Sequence, residues 1–109
     1  MALTEGTDYE IVGVQRGDCY NEIVVRTINT VDDTDEIDID MTKYGISATG
    51  LIGVIGFEHS TANSVSVQQQ PTTSVSSGTV TITVGGSSDN RQRYFVVKGF
   101  AEANPSSSL

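Results

Sequence analysis

A single cysteine, Cys19, stands in 109 residues, so no disulfide framework can form within the chain. Cys19 has no motif around it and reads as a small buried or half-buried residue. Basic residues are also scarce: six face fourteen acidic ones, for a net charge of −8. Phosphate contacts supply most of the affinity for nucleic acid, so this balance speaks against a nucleic-acid partner. Arg91, Arg93 and Lys98 come nearest to a basic group and read as ordinary polar positions on a strand. There is no tryptophan and only one histidine, His59. The first absence weakens any sugar-stacking platform. The second rules out a His-based metal site or a catalytic triad built from one chain. No apolar run approaches the length of a membrane span. Residues Met1 to Asp8 lack the basic and apolar regions of a secretory signal, and the starting Met suggests an unprocessed product. No window shows a helical period with caps; at most one short helix is expected, near Thr42 to Ser47.

What the chain does contain is alternation. Ser and Thr supply about a quarter of it. In the stretch from Asn63 to Val84, Val80, Ile82 and Val84 fall on one face of a strand and Thr79, Thr81 and Thr83 on the other. A sheet with one apolar face must bury it against something. Glu36 to Met41 alternates in the same way, with Ile37, Ile39 and Met41 inward and Glu36, Asp38 and Asp40 outward.

The remaining strands follow from local composition. Tyr9 to Val14 is a short strand closed by Arg16-Gly-Asp18, which reads as turn chemistry and not as an adhesion tripeptide. Glu22 to Asn29 is the next. It is expected to form an antiparallel hairpin with Glu36 to Met41, the acidic turn Asp32 to Asp35 at its tip. Leu51 to Phe57 is the most apolar run and the best candidate for a central, fully buried strand, with Gly53 and Gly56 allowing close approach. Glu58 to Asn63 reads as a turn, Ser64 to Gln68 as a strand, Gln69 to Gly78 as a loop, Gly85 to Asn90 as a loop and Arg91 to Phe100 as the last strand. About seven strands with turns roughly every ten residues predict a single-domain antiparallel β-sandwich, immunoglobulin-like or jelly-roll-like. Its expected limits are residues 9–102, with an N-terminal arm at 1–8 and a flexible tail at 103–109.

Candidate chemistry is sparse. Asp32, Asp33 and Asp35, continued by Glu36, Asp38 and Asp40, are hard oxygen ligands of the kind Ca²⁺ prefers. The run lacks the glycine turn of a Ca²⁺ loop and reads first as a solvated strand face that guards an edge. Glu58 and His59 point apart on a strand, and no nucleophile is placed beside them. Gly85 to Ser88 lacks the lysine and helix of a phosphate loop. No catalytic set, cofactor or resident metal is expected.

Three stretches together, Gly50 to Thr61, Pro71 to Ser87 and Arg91 to Phe95, are similar to small proteins encoded among the virion genes of tailed bacteriophages. Those proteins lie near the major capsid gene and act as capsid decoration, or cement, proteins. The resemblance implies a non-enzymatic structural protein on the capsid exterior, bound to the major capsid protein lattice and trimeric by closed symmetry. Expected contacts are the arm (Met1, Ala2, Leu3), the apolar surface near Phe57 and Phe100, and the tail at Leu109. The alternatives are a head–tail connector or tail accessory protein, and a β-module that binds glycan or a host surface.

Overall fold

The computed structural model describes residues 1–28, 30–61, 65–85 and 91–101. Eight strands form: β1 (Tyr9–Arg16), β2 (Tyr20–Thr27), β3 (Glu36–Asp40), β4 (Ile46–Thr61), β5 (Val65–Gln68), β6 (Thr72–Ser76), β7 (Thr79–Thr83) and β8 (Gln92–Ala101). They make two antiparallel sheets, ordered β1-β2-β8-β4-β5 and β3-β7-β6. The predicted all-β, single-domain architecture is the one observed, with eight strands among the described residues where about seven were expected.

Alternation builds the smaller sheet. Ile37 pairs with Ile82 and Ile39 with Val80, so their side chains share a face. These residues and Met41 and Val84 are buried to 2% exposure or less. They join Ile23, Val25, Val54, Phe95 and Val97 of the larger sheet in one core. Among the described residues the one helix is a 3₁₀ turn, Met41–Tyr44. The Asp40 carboxylate caps its start, accepting from the Thr42 N–H (3.1 Å) and hydroxyl (2.8 Å). Gly45, at φ 82°, ends it in the left-handed conformation that glycine adopts without strain.

Several local expectations are corrected. β2 and β3 do not form a hairpin: β2 lies between β1 and β8, and β3 pairs with β7 in the other sheet. The acidic segment between them is therefore a crossover. The apolar run from Leu51 to Phe57 lies within β4, beside β8, which holds the centre of the sheet. It is not buried on both faces, since Ile52 and Phe57 reach solvent. Gly56 does face a close neighbour; a Cβ there would come within 2.5 Å of the Gln69 carbonyl oxygen, whereas Gly53 faces open space. Glu58 to Thr61 continues β4 where a turn was expected. Thr72 to Ser76 is a strand, not loop: β6 and β7 make a hairpin with a two-residue turn, Ser77 (φ 52°) and Gly78 (φ 81°). Positive φ at both turn residues matches the twist of the flanking strands. Cys19 is exposed, in the turn between β1 and β2, not buried.

The N-terminal segment folds back on its own domain. Ala2 bridges to Glu36 in parallel, with the Leu3 N–H donating to the Glu36 carbonyl and the Glu36 N–H to the Met1 carbonyl (2.8 Å each). Leu3 packs against the core. Tyr9 ties the same side together, its hydroxyl donating across the sandwich to the Asp38 carbonyl (3.0 Å).

Candidate interaction face

The smaller sheet turns a wholly polar outer surface to water. Its cross-strand rows are Glu36–Thr83–Thr72, Asp38–Thr81–Ser74 and Asp40–Thr79–Ser76. The Thr81 hydroxyl donates to the Asp38 carboxylate at 2.6 Å. The metal candidates beside this surface are engaged locally. The Asp35 carboxylate accepts from the Asp32 N–H (2.9 Å) and lies 3.5 Å from the Met1 ammonium. Among the described residues no three His, Cys, Asp or Glu side chains gather as a metal site.

The larger sheet does the reverse. Registers through β2, β8 and β4 set Val24, Val96 and Ile55 side by side on the outer face. The next row is Arg26, Tyr94 and Phe57, and at the opposite end Tyr20 lies against Phe100. Tyr20, Phe57 and Phe100 are exposed to 41%, 36% and 56%. Val12 and Ile52, at irregularities in β1 and β4, add further exposed aliphatic surface. Gly13 and Gly53 point the same way, and a Cβ at either would meet nothing within 4 Å, so the face stays flat. Charges sit around this apolar centre. Lys98 lies 3.9 Å from Glu22 and 5.7 Å above the Tyr20 ring, and Arg26 pairs with Glu10. The Glu10 contact raises the Arg26 pKa through its hydrogen bond and its charge. Near Arg26, a depression of about 400 Å³ opens between Glu10, Ile28, His59, Gln92 and Tyr94. The His59 ring lies 4.7 Å from that of Tyr94. An apolar, aromatic centre with a charged rim is the anatomy of a protein–protein contact surface.

Directly behind this face, polar groups occupy the interior. Arg93 and Glu58 form an ion pair of 3.1 Å, their side chains only 1% and 5% exposed. The Arg93 guanidinium also donates to the Gly85 carbonyl at 2.5 Å. Its backbone exchanges hydrogen bonds with the buried Thr27 hydroxyl, at 2.9 and 3.2 Å. Arg93, expected to be an ordinary polar position on a strand, is therefore a buried, ion-paired one.

Of the expected contact residues, Phe57 and Phe100 share the outer face but stand at opposite ends of it. Met1, Ala2 and Leu3 lie along β3 in the other sheet, and Leu109 lies outside the described residues. Tyr94, Val96, Val24 and Ile55, which make the centre of the face, were missed. The signal was present in β8, where both alternating sets, Tyr94–Val96 and Phe95–Val97, are apolar.

Comparison with protein-family models, with curated proteins and with solved structures finds no match to this chain.

Proposed function

We propose that this protein is a non-enzymatic virion component that decorates and stabilises a bacteriophage capsid. In this reading it binds the major capsid protein lattice through the outer face of its five-stranded sheet. The observation that carries the reading is that face: an acidic, Thr/Ser-rich chain leaves Tyr20, Phe57 and Phe100, with neighbouring aliphatic side chains, uncovered. Exposed apolar surface of this kind, rimmed by charge, marks a place where something docks. A partner that binds only in the assembled lattice would stabilise assembly by mass action. The net charge of −8 favours a neutral or basic docking surface and chiefly speeds encounter.

Electron microscopy of particles carrying the chain tests the proposal. The expected result is density on the capsid exterior that repeats with the lattice, with the β1-β2-β8-β4-β5 sheet facing the shell. Density confined to a single ring at one vertex would replace decoration with a connector role, and absence from the particle would remove both. Phe57→Asp, which places a charge in the aromatic row at a position already exposed, is expected to lower occupancy at least tenfold. Its melting temperature should stay within a few degrees of the parent, as for most surface substitutions.

A further inference from the structure

Four strand edges border the two sheets, and three of them are closed or curtailed. β1 carries a bulge at Val12 and the charges of Glu10 and Arg16. β3 is met at Glu36 by Met1 to Leu3, its Asp38 carbonyl takes the Tyr9 hydroxyl, and it carries the charges of Glu36, Asp38 and Asp40. β5 has only four residues. β6 differs from all of these. It is regular, pairs on one side only, and is exposed at all five positions. It also lies within the longest uncharged stretch of the chain, Ser60 to Ser88, which contains no Asp, Glu, Lys or Arg. Charged residues, proline and bulges are the usual means of keeping such an edge from pairing. The interior of β6 has none of them.

The β6–β7 hairpin decides which groups are on offer. A two-residue turn closes on a pair that exchanges both hydrogen bonds, so the ladder bonds fall on Ser76, Ser74 and Thr72. The backbone N–H and C=O of Thr73 and Val75 therefore point away from β7. Those two residues face the same way as Ile82 and Val80, toward the core side of the sheet. Val75 is nonetheless 43% exposed. It borders a depression of about 490 Å³ whose other walls are Ala48, Thr49, Leu51, Ser77 and Gly78.

We infer that β6 pairs with β6 of a second copy of this chain, antiparallel about a two-fold axis at Ser74. That register sets Thr73 against Val75 of the other copy, and Val75 against its Thr73. Both are pairs whose groups point outward, so each exchanges its two hydrogen bonds. The same register brings an uncharged side chain over the groove beside Val75. The strand is thus self-complementary in hydrogen bonding, in face and in charge. The acidic strands are kept apart: across the joined sheet β3 and its counterpart lie five strand spacings from each other, about 24 Å. That exceeds a Debye length of about 8 Å at physiological ionic strength, so two chains of charge −8 can meet here with little repulsion. An isologous strand pair closes on two-fold symmetry. It replaces the trimer expected from the resemblance, and it leaves the outer face of the larger sheet uncovered in both copies.

Sedimentation velocity of the full chain, in the absence of any particle, tests the pairing. The parent is expected to shift from 11.6 kDa toward twice that mass as concentration rises, with little change when salt is raised above physiological ionic strength. Val75→Lys charges the edge, and Thr73→Pro removes an outward N–H that β7 does not use. Each is expected to weaken association at least tenfold while circular dichroism stays unchanged. Val67→Lys, on the β5 edge, is expected to associate as the parent does. A parent that stays monomeric to millimolar concentration overturns the inference. So does a three-fold assembly, or association that neither β6 variant alters. Should one β6 variant lose its fold, the other still decides the question.

Discussion

The two sheets share one core but treat the rule of apolar-in, polar-out differently. The three-stranded sheet follows it along β3 and β7: Ile37, Ile39, Val80 and Ile82 inward, acidic and hydroxyl residues outward. The five-stranded sheet breaks it in both directions. Arg93, Glu58, Asn21 and Thr27 are buried, while Tyr94, Phe57, Val96 and Phe100 line the outside. An antiparallel sheet with one solvated side has no need of that second apolar surface. The contrast separates a sheet whose outer surface ends at water from one whose outer surface suits a partner.

The largest test concerns the polar interior of the five-stranded sheet. Arg93→Ala leaves the Glu58 carboxylate buried without its partner, and breaking such a pair costs about 3–5 kcal/mol. Urea unfolding is expected to show this loss. The double variant Arg93→Met with Glu58→Leu, which removes both charges, should regain more than half of it. A double variant no better than the single one would mean that the hydrogen bond to Gly85, not the ion pair, is what matters.

The next effect concerns the tie between the sheets. Tyr9→Phe removes the hydrogen bond to the Asp38 carbonyl and is expected to cost about 1 kcal/mol. Burial, with the charges of Glu5 and Asp38, raises the Tyr9 pKa above its ordinary value of 10.0. The native state thus holds this proton more tightly than the unfolded chain. The resulting stability is fully present below pH 10.0 and is lost as pH rises through the native pKa. The difference between parent and Tyr9→Phe stability should therefore be constant below that pH and shrink above it. A difference that grows with pH would reverse the assignment.

The smallest effect is expected on the solvated face. Thr81→Val removes the hydrogen bond to Asp38 at an exposed site, and equilibrium unfolding should shift by no more than about 0.5 kcal/mol. A loss of several kcal/mol would show that the acidic surface is structural, and the contrast between the sheets would then narrow.

Legibility in the sequence followed the same contrast. β3 and β7 were readable because polar and apolar residues alternate strictly, and period two has only one solution there. β8 was readable as a strand but not as to its faces, since Phe95 and Val97 compete with Tyr94 and Val96 for the core. The interior was settled by Ile23, Val25 and Val54 on the neighbouring strands, which local composition does not register. Glu58 and Arg93 are ordinary polar letters until the register of β4 against β8 sets them opposite each other. The hairpin expected between β2 and β3 failed for a similar reason. Nearness in sequence suggested a partner, whereas β2 pairs with β8, about seventy positions away. β6 was obscured by Pro71 and by a run of Ser and Thr that resembles loop composition.

That long-range pairing bears on how the molecule is made. β8 lies between β2 and β4, yet it follows both in the chain. The five-stranded sheet therefore cannot grow strand by strand as residues emerge. Until β8 arrives, the inner edges of β2 and β4 stand open, with their apolar side chains uncovered. Contacts of such long sequence separation form slowly and leave an unfinished chain prone to aggregation. The β6–β7 hairpin, closed by two residues, is free of this constraint and can form early. Folding should thus wait on the insertion of one late strand. A chain cut before Arg91 should remain without a stable tertiary structure, although it retains seven of the eight strands.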